Sequence, residues 1–260
     1  MERRETESKG EKVIYVIKQA AGHLYDKEGN PVFEVPKKSG KGMKKTTLRE
    51  ARELDLLPSV TSIQKIIAKE GLQRWIQEQL VMSALTLPKE PEEALEDFAK
   101  RIIEDSGKQA SEAAELGSNV HRAIEEYMAT GAINTEYEQH IAPVIKWINE
   151  TMSDKDKIKT EVSFACTEGY GGRVDCVYND MVIDWKTQGT KGGKFKQYPE
   201  HGEQLAAYAN GLGIEHADLI NVYISTTEVG LIEVYRWTNN DDLLAQFGSS
   251  FHLWKSRNNW

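Results

Sequence analysis

Cysteine is scarce in this chain: only Cys166 and Cys176 occur in 260 residues. Both fall on segments that read as strands, which points to reduced, buried thiols and a cytoplasmic protein. Long apolar runs are absent too, so no segment is suited to span a bilayer and no membrane partner is expected. The N-terminus, Met1-Glu2-Arg3-Arg4-Glu5, has no apolar signal core behind it. Internal repeats are missing. Positive charge is also short, with a net charge of −8, an unpromising sum for a protein that would neutralise phosphates. What remains is a soluble globular composition, 39% hydrophobic and 28% charged, in a chain long enough for a sizeable core.

Charge is distributed unevenly, and the distribution matters more than the sum. Residues 37–45 hold Lys37, Lys38, Lys41, Lys44 and Lys45 with no acid. Residues 186–198 hold Lys186, Lys191, Lys194 and Lys196, again with no acid, among three glycines that suggest a mobile loop. Acid concentrates in 89–129. Each lysine run alone reads as a solvated loop. The second begins at Lys186, and there Lys191 and Lys194 are candidates for nucleic-acid backbone contact.

Turn and periodicity signals divide the chain into three parts of one domain: 1–46, 47–152 and 153–260. Residues 13–35 read as a β-hairpin turning at Lys27-Glu28-Gly29-Asn30. The segment 36–47 reads as a Lys/Gly loop whose spacing does not match a phosphate-binding loop. From 47 to 152 the pattern is helical. Pro58 and Ser59 punctuate it, Gly71 ends a short helix, Pro88 and Pro91 separate the next pair, and Thr135-x-x-Glu138 reads as a capping box. Pro143, inside the last of these helices, implies a kink or a late start. Strands are expected at 157–166, 170–178 and 181–187, a helix at 202–212, strands at 218–226 and 230–237, and a final helix at 240–256. The expected fold class is α/β: a mixed sheet flanked by helices, with a helical layer on the N-terminal side.

The chemistry concentrates in Gly172-Arg173-Val174-Asp175 and Asp184-Trp185-Lys186. Between them two short apolar runs flank Asn179-Asp180, the pattern of a tight hairpin. With those two residues as the loop, Asp175 falls directly opposite Asp184, and directly opposed side chains lie roughly 5 Å apart on one face. Lys186 joins that face by alternation. Opposed carboxylates repel each other unless a cation neutralises them, and a hard divalent ion such as Mg²⁺ prefers carboxylate and water oxygens. Such an ion activates water for hydrolysis, while a neighbouring lysine orients the water or offsets transition-state charge. Taken alone, D-x-K is equally compatible with a surface Asp–Lys pair.

Other residues carry two readings each. His121 borders a helix stripe of Leu116, Val120, Ile124 and Tyr127, one turn from Gly117, and as a lone histidine it fits the edge of a packing interface. Glu161 opens the alternation Val162, Phe164, Cys166 and fits an exposed strand position. Gln204 and Tyr208 share one helix face, from which both can reach one phosphate or the lysine. Ser59 and Thr61 fit helix N-caps. Trp75 fits either a core position or a base-stacking one.

In order along the chain, Gly117-Ser118-Asn119-Val120-His121, Gly172 to Asp175, Asp184 to Lys186, and Gln204 to Tyr208 resemble the PD-(D/E)xK nuclease superfamily. The resemblance is to its RecB-like branch, which includes phage and mitochondrial genome maintenance exonucleases. Pro58-Ser59-Val60-Thr61 followed by Trp75 is similar to the opening of the same branch. The resemblance implies a restriction-endonuclease-like core and a Mg²⁺- or Mn²⁺-dependent deoxyribonuclease acting on single-stranded ends in replication, recombination or repair. It implies His121, Asp175, Asp184 and the Trp185 carbonyl as metal ligands and Lys186 as the water-orienting group. It assigns Gln204, Tyr208, Ser59 and Thr61 to the substrate path and Glu161 to support of water or metal. Some relatives hold an iron–sulfur cluster on four cysteines; with two, no cluster is expected here. The same motifs serve structure-specific endonucleases, and a silent DNA-binding module or an RNA substrate stays open. Recombination or replication proteins are the partners the resemblance suggests.

Overall fold

In the computed structural model, which describes residues 23–67 and 70–260, the chain opens with short elements. These are β1 (Leu24–Tyr25), β2 (Glu34–Pro36), β3 (Met43–Lys45), α1 (Leu48–Glu53), β4 (Leu57–Pro58) and α2 (Val60–Gln64). Three longer helices follow: α3 (Glu70–Thr86), α4 (Leu95–Thr130) and α5 (Glu138–Thr151). The rest of the chain runs β5 (Ile158–Cys166), β6 (Tyr170–Tyr178), β7 (Met181–Gln188), α6 (Pro199–Leu212), β8 (Asp218–Ser225), β9 (Ile232–Arg236) and α7 (Asn240–Asn258). Strands β5 to β9 form one sheet in sequence order. All neighbours are antiparallel except β7 and β8, which run parallel and are joined through α6.

Both faces of this sheet are covered, as the residues require. In β8 the run Leu219-Ile220-Asn221-Val222-Tyr223-Ile224 is buried throughout, the pattern of a strand with helices on either side. One face packs Val174, Val177, Val182 and Leu219 against Val60 and Ile63 of α2, Leu205 of α6, and Phe247 and Phe251 of α7. The other packs Cys176, Ile183, Trp185, Ile220 and Val222 against Val120 and Ile124 of α4 and Ile141, Val144 and Ile148 of α5. Each large aliphatic side chain buried this way contributes roughly 1.5–3 kcal/mol. A one-residue slip of β7 would send Ile183 and Trp185 to the wrong face and Asp184 into an apolar layer, so the register is firmly set. No helix among the described residues is long and apolar enough to cross a membrane.

One irregularity shapes the site. On β6, Tyr170 and Val174 face the α6–α7 core, whereas Cys176 and Tyr178 face the α4–α5 core. On β5, Phe164 and Cys166 lie in the first core, and Ile158 packs against the second. The pairing stays in register on both sides of the switch, Thr160 with Cys176 and Val162 with Val174. The pleat therefore reverses at Glu161 and Asp175, which face each other outside the ladder. Glu161 takes a left-handed φ of 52°, rare for a residue with a side chain.

From 157 onward the expected elements are all present, and the N-terminal helical layer is there too. Elsewhere the structure corrects the sequence reading. Residues 13–22 of the expected first hairpin lie outside the described residues. Its turn forms, with the Asp26 side chain accepting from the Asn30 backbone at 2.7 Å, and the hairpin closes briefly, Tyr25 bridging Pro31 and Val32 N–H donating to Leu24 O at 2.9 Å; on its other edge β1 also pairs with β4. The Lys/Gly segment is itself a hairpin, β2 with β3, and Lys44 is tied to Glu50. Gly71 lies inside the first turn of α3, where added side-chain bulk would meet Tyr198. Thr135 forms no capping box, because α5 begins after Tyr137 with no side-chain cap. Pro143 is carried inside that helix.

Two glycines let elements close on the site. An added Cβ at Gly117 would sit 2.7 Å from Thr187 Oγ1, so this glycine lets α4 lie against the end of β7. At Gly172 an added Cβ would sit 2.7 Å from the Phe164 ring and 2.9 Å from the Tyr208 ring. Gly172→Ala is expected to overpack this point and cost about 1–3 kcal/mol, measured as a lower urea midpoint at unchanged slope. An unshifted midpoint would show that the two rings can move aside.

Candidate functional site

Strands β6 and β7 pair as a hairpin from Tyr178 and Met181 through Cys176 and Ile183, with Asn179 in the left-handed conformation at the turn. The register is the one the sequence implies, but the ladder stops one pair before Asp175 and Asp184. Asp175, at the pleat reversal, accepts instead from the Trp185 backbone N–H with Oδ2 at 2.9 Å. The two carboxylates thus share a pocket without facing each other as a regular cross-strand pair. Lys186 closes on Asp184, Nζ to Oδ2 at 2.7 Å.

Helix α4 delivers His121. Its ring Nδ1 lies 3.6 Å from Asp175 Oδ2, and the ring also hydrogen-bonds the Trp185 backbone. Burial pushes the imidazole below its ordinary value, while the negative charge of Asp184 works the other way. A neutral ring keeps the lone pair that a metal ligand needs. The stripe behind His121, from Leu116 to Tyr127, packs in the α4–α5 core as its spacing implies.

Helix α6 supplies the other wall. Gln204 accepts from Lys186 Nζ at 3.0 Å through Oε1, and donates through Nε2 to Asp184 Oδ1 at 3.0 Å and to the Tyr208 hydroxyl at 2.8 Å. Lysine can only donate, so the amide orientation follows: its oxygen faces Lys186 and its nitrogen faces Asp184. Gln204 and Tyr208 are both buried and turned inward, holding the Asp184–Lys186 pair instead of facing solvent. Burial, followed by the charges of Asp184 and Asp175, raises the Tyr208 hydroxyl well above its ordinary value.

Asn221 of β8 gave no motif in the sequence, yet it completes the site. It lies across the parallel ladder from Asp184 and donates to Asp184 Oδ2 at 2.9 Å and to the Asp184 carbonyl at 3.2 Å. An asparagine inside the apolar and aromatic run Leu219 to Ile224, where it is fully buried and so needs partners, is the signal that could have found it. His201, one turn before Gln204, bonds the Tyr223 hydroxyl at 3.0 Å, and Tyr223 is the β8 partner of Lys186.

The remaining candidates lie apart from this network. Glu161 pairs with Arg173 at 2.6 Å and makes no hydrogen bond to Asp175, Asp184 or Lys186. Ser59 is buried as the N-cap of α2, accepting from Ser62 N at 3.0 Å, and Thr61 bonds its hydroxyl at 3.1 Å. Lys191 and Lys194 are exposed, bridged to each other across a turn. Their loop is pinned: Gly193 N–H donates to Glu228, Thr190 N–H to Thr227, and Gln188 exchanges two bonds with Lys196. Trp75 is half-buried on α3. Cys166 and Cys176 are free and buried, and burial pushes the Cys176 thiol up to about 12.

Among the described residues, no three His, Cys, Asp or Glu side chains stand as a closed ligand set. Both oxygens of Asp184 are engaged, by Lys186, Gln204 and Asn221. The donors nevertheless suit a hard divalent cation: two carboxylates, an imidazole and the Trp185 carbonyl. Burial, then the Asp184 charge, raise the Asp175 carboxyl well above the ordinary aspartate range, against the opposing pull of Lys186. A hollow of about 600 Å³ lined by Lys27, Arg52, Cys166, Phe251, Lys255 and Trp260 involves none of these residues.

No family model matches the chain, and no curated protein does. Solved structures similar to it include an alkaline exonuclease (LHK-Exo) from Laribacter hongkongensis, at 16% identity over 72% of this chain and 92% of that one, with a TM-score of 0.34. A phage-related exonuclease from Haemophilus somnus 129PT is 13% identical over 70% and 90%, TM-score 0.31. The structure titled SSO0001 is 15% identical over 70% and 86%, TM-score 0.32. Scores this low leave the reading of the site to its own geometry.

Asp175 binds its proton more tightly folded than unfolded. Its contribution to stability is therefore full below the ordinary aspartate range and is lost as pH rises through the raised value. In chelator, the protein is expected to lose stability over that rise. Asp175→Asn is expected to melt roughly 2–5 °C above wild type at pH 8, with the gap closing below about pH 4. Calorimetry in EDTA checks this, and a variant less stable than wild type at pH 8 would contradict it.

Proposed function

We propose that this chain is a divalent-metal-dependent deoxyribonuclease that hydrolyses phosphodiester bonds, acting on the ends of single strands. The observation that carries the reading is the meeting of Asp175, Asp184, Lys186 and His121 where the β6–β7 hairpin leaves its ladder. Two carboxylates there have one lysine beside them, paired with Asp184, and burial with the Asp184 charge pushes the Asp175 carboxyl well above its ordinary range. A structural ion pair has no need of the second acid.

His121, Asp175, Asp184 and the Trp185 carbonyl would hold Mg²⁺ or Mn²⁺. When bound, the ion supplies Lewis-acid polarisation of a phosphoryl oxygen and acidification of water. Asp175 takes its position from the Trp185 N–H. Lys186, fixed by Asp184 and Gln204, presents its remaining ammonium hydrogen to the attacking water or to charge developing on the phosphoryl group. Gln204 sets the lysine and the carboxylate at a constant spacing, and Tyr208 braces Gln204 from the core. Exposed lysines at 37, 38, 41, 191 and 194 offer backbone contacts for DNA, offsetting a net charge of −8.

The test is digestion of 5′- and 3′-labelled strands, single and double, linear and circular, with RNA alongside, after chelation and with Mg²⁺ or Mn²⁺ restored. Metal-dependent loss of linear single strands is expected, reduced about 10²–10³-fold in Lys186→Ala and at least as much in Asp184→Ala. Cutting of circles would make the enzyme an endonuclease. Metal-independent binding with no cleavage of any substrate would overturn the reading.

A further inference from the structure

Asn221 and Trp237 form a second support behind Asp184 that none of the motifs contains. Asn221 is fully buried between apolar neighbours, a costly place for an amide unless its groups are bonded. Its Oδ1 accepts from the Trp237 indole Nε1 at 2.7 Å, and its Nδ2 donates to the Asp184 carboxylate and carbonyl. An indole N–H only donates, so the amide oxygen must face Trp237 and the amide nitrogen must face Asp184. The tryptophan thereby sets the direction of the asparagine. Trp237 is itself held: its backbone N–H donates to Leu219 O at 2.9 Å, its ring meets Tyr235 edge-on at 4.8 Å, and it lies over Gly202 of α6. An added Cβ at Gly202 would fall 2.7 Å from that ring.

We propose that Trp237 and Asn221 are positioning residues that aim the Asp184 carboxylate at the metal site. The inference rests on the nuclease reading. Lys186, which is partly exposed, and the buried Gln204 hold Asp184 from the α6 side. The Asn221–Trp237 arm holds the same carboxylate from within the sheet, so its direction persists when Lys186 turns to its other partners. Groups that orient a ligand in this way typically change metal affinity about 10–100-fold when removed.

The substitution Trp237→Phe keeps the ring packing and removes only the donor. Calorimetric titration of the chelated full-length protein with Mn²⁺ is expected to show affinity weakened about tenfold or more. Affinity for a single-stranded oligonucleotide in EDTA should stay at the wild-type value, which a general structural defect would not spare. In wild-type protein the Trp237 indole N–H resonance is expected to move on addition of Mg²⁺, and to stay fixed in Asp184→Asn. Wild-type Mn²⁺ affinity in Trp237→Phe would overturn the inference while leaving the nuclease reading intact. Should that variant not fold, the wild-type indole resonance decides: movement with Mg²⁺ supports the arm, and none overturns it. Wild-type protein that neither binds Mn²⁺ nor cleaves DNA would remove both readings together.

Discussion

The placement of Asp175 and Asp184 in one buried pocket is the constraint around which this molecule is arranged. Two carboxylates with a single lysine beside them repel each other, and burial magnifies the repulsion because little water screens it. Almost every polar contact nearby serves to tolerate that charge. The Trp185 amide donates to one acid; Lys186, Gln204 and Asn221 donate to the other. Such an arrangement is poor for stability and good for binding a cation, the usual compromise where strain gathers at a functional site.

Backbone geometry is adapted to the same end. A continuous ladder would have set Asp175 in a regular cross-strand pair with Asp184. Reversal of the pleat at Glu161 and Asp175 releases Asp175 from the ladder and turns its carboxylate to the Trp185 N–H. Glu161 accepts an unfavourable φ and is anchored by Arg173. Glu161 thus supports the site through the sheet's shape and not through a bond to its reacting groups.

Packing explains the spacing of the motif residues. Gly172 is bare because the Tyr208 and Phe164 rings occupy its side-chain volume, and Gly117 is bare because Thr187 does. The glycines before Asp175 and before His121 are therefore the contact points through which β6 meets α6 and α4 meets β7. Gln204 and Tyr208, one turn apart, divide the work: one orients the charged pair, the other braces it against the core.

Much of this was legible in the chain itself. Apolar runs bounded by turn residues marked the strands from 157 onward, and the Asn179-Asp180 turn determined which residues of β6 and β7 stand opposite. Local chemistry was enough because each signal lies within a few residues of its effect. The N-terminal part was less readable: β1 pairs with β4 across some thirty residues, and Thr135 looks like a cap where none forms. Only the tertiary structure decided that the ladder stops before Asp175, that Ser59 is spent as a buried cap, and that Asn221 and Trp237 stand behind Asp184. Those outcomes depend on which strands become neighbours and on burial from both faces of a sheet, and no local pattern encodes a contact between residues that meet only when the core closes.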